Sequence, residues 1–366
     1  MKLTLHAESL EEVLSTMDEC QLADSFLNDG FFAFSPKELE DIGRSIQKGK
    51  KPEQAYRDYL LGQLEDEGKE AFSQVQVGFG LEEFAPLDPL PYVTDPYYQR
   101  VMGAIKGRKR FGDWVYEEKR YLPYQLFVFD KVRQSELIPT VRYSPVGYFE
   151  KGFAYPALSQ NGRVYMSLIP HEMNTMEEAI QKASGHVCTM GLGMGYFAFR
   201  TSQKDNVSKV TVLERDKDVI ALFKNVFLPL FDHPEKIEVI QIEDALTYAP
   251  KQPFDYLFAD LHHDAVDGLL PYLQILRLEG FAKQKDVWIE KAILEYFRRH
   301  LLALIEEEAN GYKDEDYKNP SNESEEVLSA LHFHLKNAPI PDVDALLSLL
   351  TDESLRRIGK EMKLPR

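Results

Sequence analysis

Residues 186–199 read HVCTMGLGMGYFAF, and this stretch decides the fold. A short run of β-forming and apolar residues ends in Gly191, Gly193 and Gly195, each two positions from the last, with Tyr196 directly after them. In an open parallel sheet, ligands bind beyond the carboxyl ends of the strands, where the strand order reverses. Glycine lets backbone come close to a ligand, and the N–H groups opening the next helix favour an anionic group. The stretch therefore predicts the first strand of such a sheet, a ligand-holding turn and the start of a helix.

The pattern continues downstream. KVTVLE, KIEVIQI and DYLFAD are compact, nearly continuous apolar runs, as strands buried on both faces should be. Helical stretches lie between them, clearest in DKDVIALFKNVFLPLF, and a fifth strand is expected at DVWIE, 286–290, after a helix near 265–278. Upstream, DWVYEEKRY, YQLFVFDKV, VGYFEKG and RVYMSLI predict a small antiparallel sheet. Residues 1–72 read as helices. In SPKELEDIGRSI, Ser35 caps, Pro36 opens the helix, Glu38 closes a capping box, and Leu39, Ile42 and Ile46 share a face. A connector with Pro86, Pro89, Pro91 and Pro96 is expected to lie outside regular structure, and the polar run 311–326 to be a loop too polar to bury. Thr175 and Glu178 are expected to cap a helix after Pro170, His171 and Glu172.

The fold class is α/β: a Rossmann-like, doubly wound, mostly parallel sheet. A helical N-terminal region and a small antiparallel β-sheet precede it, and a helical C-terminal extension follows. The expected boundaries are 1–109, 110–169, 170–295 and 296–366.

Candidate site residues fall at strand ends. Glu214 closes the second strand, where a carboxylate can accept hydrogen bonds from both hydroxyls of a ribose. A nicotinamide dinucleotide and S-adenosylmethionine both carry that ribose, but a dinucleotide fingerprint calls for glycine at 196, where Tyr196 stands. Glu243 and Asp244 follow the third strand, placed either to meet an adenine amino group or to interact with a helix dipole. Asp260 ends the fourth strand, and His262, His263 and Asp264 follow it into the crevice. His263 or Asp264 is a candidate base, set against simple capping of the next helix. No metal site is expected, since adjacent histidines point different ways. Ser167, His171 and Glu172 should pass near the glycine turn, as ligand contacts or as a plain connector.

GLGMGYFAF, VTVLERDKDVI, IEVIQIEDAL and FDYLFADL, in this order and spacing, resemble the core of the class I S-adenosylmethionine-dependent methyltransferases, and within them the spermidine-synthase-like branch. The resemblance covers residues 186–264. It implies S-adenosylmethionine as cofactor, with Gly191, Gly193 and Gly195 along its methionine portion, Glu214 on the ribose, Asp244 facing the adenine and Asp260 beside the reacting centre. Two positions depart from that branch. Met194 stands where an aspartate holds the amine of an aminopropyl donor, and His263 stands where a second acid deprotonates the attacking amine. Methyl transfer to a small molecule is therefore expected ahead of aminopropyl transfer. A nicotinamide-dependent oxidoreductase and a nucleoside-binding protein without catalysis are the other readings.

Composition sets the outer limits. A formal net charge of −17 over 366 residues argues against nucleic acid or an anionic membrane as partner. The basic run 106–110 reads as a solvated turn. Two cysteines, Cys20 and Cys188, fit reduced thiols in a cytoplasmic protein, and no apolar run reaches the ~20 residues a bilayer requires. A small-molecule acceptor is the expected partner, with a homodimer left open.

Overall fold

The computed structural model describes residues 2–3, 7–75, 80–81, 84–105, 107, 109–135 and 142–364. Its centre is a parallel sheet of five strands: β5 (Gly185–Met190), β6 (Val207–Glu214), β7 (Ile237–Gln241), β8 (Phe254–Ala259) and β9 (Ala282–Val287). They lie in the order β7-β6-β5-β8-β9, so the direction of winding reverses beside β5. Alternation along the strands splits their side chains between two cores. Val187, Val210, Tyr256 and Phe258 join one cluster, while Cys188, Leu213, Leu257 and Ala259 join the other. Burial on both faces explains why these segments read as unbroken apolar runs.

Ahead of the sheet, β1 (Lys109–Phe111), β2 (Trp114–Tyr121), β3 (Phe153–Gln160) and β4 (Arg163–Ser167) form an antiparallel sheet in the order β4-β3-β2-β1. The expected single small sheet is in fact two. Phe127–Val128 and Val146–Tyr148 pair instead in a separate three-stranded sheet with Phe84–Pro86, and the eight-residue β3 was not among the expected strands. In the basic run, Lys109 and Arg110 belong to β1 and not to a turn, while Lys106 and Arg108 lie outside the described residues.

The capping box at Ser35 and Glu38 forms as its sequence predicts, on the helix Pro36–Gln47. The proline connector is more ordered than expected. Pro91 sits inside the short helix Leu90–Val93, and Pro96 opens Pro96–Ala104, whose N-cap Asp95 accepts from Tyr97 N and Tyr98 N. Proline costs nothing in a first helical turn, where its missing N–H has no partner to lose.

Helix α1 (Pro170–Lys182) leads into β5, and α2 (Tyr196–Ser202) follows the glycine turn. Thr175 does not cap α1. The helix begins five residues earlier at Pro170, and the Thr175 hydroxyl donates back to His171 O at 2.6 Å. Helix α3 (Lys217–Leu222) follows β6 and α4 (Ala265–Leu276) follows β8. The fifth strand, expected at 286–290, ends at Val287, because Ile289 takes a left-handed conformation and α5 (Glu290–Ala309) starts there. No strand follows beyond β9 in this sheet among the described residues.

Helices α6 (Glu323–Leu335), α7 (Val343–Leu349) and α8 (Asp352–Glu361) form a further core with α4 and α5. The polar stretch 311–326 is anchored there. Tyr317 is buried and stacks on His332, whose ring nitrogens meet Glu308 at 2.8 Å and Asp314 at 3.1 Å.

Candidate functional site

The site assembles at the carboxyl ends of β5, β6 and β8. Gly191, Gly193 and Gly195 have φ of 88°, 56° and 83°, a region that side chains rarely enter. Each serves a different purpose. A Cβ on Gly191 would run into the backbone carbonyl oxygen of Asp260, and one on Gly195 would stand 2.6 Å from the Phe223 ring. Around Gly193 there is no atom within 4 Å of that position, so its open side faces the crevice. The turn is held from behind by a part of the chain nearly a hundred residues away. Fully buried Tyr97 donates its hydroxyl to Met194 O, and Tyr196 and Arg200 join Asp95 in a polar network. Tyr196 is thus a buttress of the turn. The helix after the turn, α2, has only seven residues, so the anion-favouring dipole expected of it is short.

Glu214 is buried at the end of β6. One carboxylate oxygen accepts from Arg215 N at 2.8 Å and Asp216 N at 2.9 Å, and the other accepts from Leu192 N at 3.0 Å. Two oxygens offer about four acceptor positions, so this carboxylate ties the glycine turn to β6 and keeps one position for a ligand hydroxyl. Burial raises its pKa, and the three amides work against that rise. The geometry changes what Glu214→Ala should do. Beyond weaker cofactor binding, the variant is expected to melt earlier than the parent, since each shielded amide left without a partner costs about 1–3 kcal/mol. A calorimetric scan that finds an unchanged melting midpoint would show that these amides find other acceptors.

A small cavity lies between the turn, β4, α1 and β8, and brings together Ser167, Glu172, Gly193, Met194, Asp260 and His262. Asp260 is half-buried. Desolvation raises its carboxyl to about 7, and the nearby negative Glu214 adds to the rise. Glu172 is pushed up to about 8 by burial, although Ser167 donates to it from Oγ at 2.6 Å and from N at 3.1 Å; the charge of Asp260 pushes the same way as burial. Two acids near neutrality, with the charge of Asp260 raising Glu172 and that of Glu214 raising Asp260, thus share the crevice.

His262 completes this wall. Its Nε2 lies 3.0 Å from Trp288 O, and a carbonyl can only accept, so Nε2 carries the proton. Nδ1 is then a bare lone pair, shielded and without a partner among the described residues. Burial lowers the pKa of the ring, which keeps it neutral.

The remaining predicted residues lie at the rim. Asp264 is exposed and caps α4, accepting from Val266 N at 2.8 Å and Asp267 N at 3.2 Å in a capping box. His263 donates its backbone N–H to Asp267, and its ring contacts Tyr165 at 5.1 Å. Glu243 and Asp244 are exposed, and Asp244 accepts from Leu246 N at the start of a short turn. From above, Trp114 Nε1 donates to Asp216 at 2.9 Å, and Trp114 packs edge-on against Tyr165. The small sheet therefore roofs the crevice. The sequence offers Glu172 as a ligand contact or a plain connector, not as a catalytic group, and gives His262 no catalytic role. The HEM triplet at 171–173, just ahead of the first strand, was the one pointer to Glu172.

A parallel sheet with this strand order and a glycine turn after its first strand is a Rossmann-like, doubly wound fold. Comparisons with solved structures find partial likenesses. The spermidine synthase of Thermotoga maritima is 15% identical, covering 35% of this chain and 47% of its own at a TM-score of 0.26. The S-adenosylmethionine-dependent methyltransferase SibL is 13% identical, covering 28% and 30% at a TM-score of 0.22. The PRMT1 enzyme-prozyme complex of Trypanosoma brucei with AdoHcy is 16% identical, covering 32% and 37% at a TM-score of 0.23. The matched region is less than two thirds of each of those chains. Neither a protein family nor a curated protein matches the sequence.

Proposed function

We propose that the protein is a transferase that binds S-adenosylmethionine at the 191–195 turn and methylates a small molecule. The observation that carries this reading is the meeting of open-sided Gly193, the free acceptor position on Glu214 and the paired acids Glu172 and Asp260 in one crevice. Glu214 would hold the ribose. The two acids would draw a cationic centre toward the floor of the crevice. The sulfonium supplies an activated methyl group: its S–C bond breaks as the acceptor forms a new bond to that carbon. The acceptor's displaced proton would pass to His262, which lines the same cavity. His262 takes the role first assigned to His263 or Asp264, whose groups are engaged at the rim.

A second reading, aminopropyl transfer, gains support from Glu172. It brings to the cavity an acid that Met194 lacks, and a decarboxylated donor needs such a contact for its amine. Competition between S-adenosylmethionine and its decarboxylated form, with product mass read by mass spectrometry, separates the two. Tighter binding of the intact donor and a methylated product are expected, with no thermal shift from NADH. Polyamine product from the decarboxylated donor would establish the second reading. Tight NADH binding with no response to either sulfonium would overturn both.

A further inference from the structure

A second, roomier cavity lies away from the glycine turn. A groove of about 760 Å³ runs beside β9, the edge of the parallel sheet, which pairs with β8 on one side only. Trp288 N bonds to Ala259 O at 2.9 Å. Ladder bonds alternate along the strand from Gln284 onward, so the amides of Lys285 and Val287 turn away from β8 toward the groove. Both faces of the edge are walled. On one, Asp286 bonds Lys182 of α1; on the other, Lys285 Nζ donates to Leu278 O, just past α4, at 2.6 Å. What remains open is a slot along the backbone itself.

Charge says what the slot takes. In a chain of net charge −17, Lys131, Lys182, Lys283, Lys291, Arg356 and Lys360 all line this groove. Three carboxylates line it too: Glu178 serves Lys131 and Lys182 at 2.8 Å and 3.0 Å, Asp286 meets Lys182 at 3.2 Å, and Glu290 holds Arg356 at 2.8 Å, while Lys283 pairs with Asp255 at 2.6 Å. Lys291 is exposed and has no ion pair among the described residues. His171 lines the groove as well, with a shielded Nδ1 that lacks a hydrogen-bond partner. Lysines on an edge strand commonly discourage edge-to-edge pairing. Here most of the cations come from α1, α5, α8 and the 131 loop, and they surround the edge without occupying it.

We propose that β9 accepts an extended acidic segment of a partner protein as a sixth strand of the sheet. Main-chain hydrogen bonds to the outward groups of Lys285 and Val287 would set the register, and the surrounding cations would select glutamate and aspartate over neutral or basic sequences. The six residues of β9 present about 20 Å of edge, enough for one short strand.

The test uses the full-length protein and a labelled peptide of roughly ten residues alternating valine and glutamate, followed by fluorescence anisotropy. Binding is expected, with slowed hydrogen exchange at Lys285 and Val287. A peptide of the same sequence with its backbone N-methylated should bind at least about tenfold more weakly, as should the parent peptide with the double variant Lys291→Glu, Lys360→Glu. That variant should still give the parent's thermal shift with S-adenosylmethionine, which shows that it is folded. Equal binding of the N-methylated peptide would overturn strand addition and leave an anion-binding groove. Failure of the acidic peptide to bind, or equal binding of a lysine-for-glutamate peptide, would also overturn the proposal.

Discussion

Gly191→Ala is expected to be the most damaging single-methyl change in the crevice, removing donor binding and lowering the melting midpoint by about 5 °C. The new Cβ would meet the carbonyl oxygen of Asp260, a backbone atom that cannot swing aside. Asp260 N is bonded to Met190 O at 2.8 Å, and Gly191 N to Leu213 O at 2.9 Å, so the ends of β5, β6 and β8 meet at this point. Relief of the clash has to part these strands or flip the turn. Holding alanine at φ 88° adds a further cost of about 1–3 kcal/mol. Gly193→Ala is the informative partner. With no atom within 4 Å of its Cβ, it should fold with a loss of only about 1 kcal/mol and yet bind the donor poorly. Differential scanning calorimetry and a donor titration on both variants distinguish the two roles. Full donor affinity in Gly193→Ala would show that the ligand does not pass over that glycine.

Donor affinity should climb steeply with pH across neutrality. Asp260 at about 7 and Glu172 at about 8 are largely protonated at pH 6, and a cationic donor binds best when both are ionised. Binding therefore releases protons, and affinity rises up to about tenfold per pH unit for each proton released, levelling off above pH 8–9. Stability of the ligand-free protein runs the other way. Both folded pKa values lie above their ordinary values of 3.8 and 4.5, so the folded chain keeps its protons longer than the unfolded one. Stability contributed by these groups is present below about pH 4 and is lost as pH rises toward 8. Asp260→Asn should flatten the lower part of the affinity profile and Glu172→Gln the upper part, while uncharged 5′-methylthioadenosine should bind the parent with little pH dependence. Isothermal titrations at several pH values would read this directly, and a flat profile for the sulfonium donor would rule out the acids as its electrostatic partner.

The parts of the site that were legible in the sequence are those fixed by backbone. Glycines two apart after an apolar run specify a turn that only positive φ can make, and Glu214 and Asp260 follow from strand ends, which hydrophobic runs mark well. What could not be read depends on side-chain direction or on distant chain. His262 and His263 are neighbours in sequence. One turns inward because its Nε2 meets Trp288 O, and the other stays at the rim because its amide is taken by Asp267. Asp264 looked like a candidate base because capping and catalysis use the same residue type, and only the hydrogen bonds to Val266 N and Asp267 N decide between them. The clamp of Tyr97 on Met194 spans nearly a hundred residues, beyond the reach of any local pattern. At β9 the strand begins four residues before the expected start, because AKQKDV holds four polar residues in a row and so lacks an apolar run, while the apolar weight of VWI drew the expectation onward.

The chain has two tryptophans, and both belong to the crevice. Trp114 hangs from the roof on the carboxylate of Asp216, and Trp288 lines the cavity, its indole N–H on Thr175 and its ring 5.6 Å from that of His262. Light absorbed at the red edge of the protein spectrum is therefore taken up only at the site, by one indole above the ligand path and one beside it. The emission of the unmodified protein is a local optical signal with two components. A carboxylate acceptor tunes one of them and a neighbouring imidazole the other, so roof and wall can be followed separately by replacing either indole with phenylalanine.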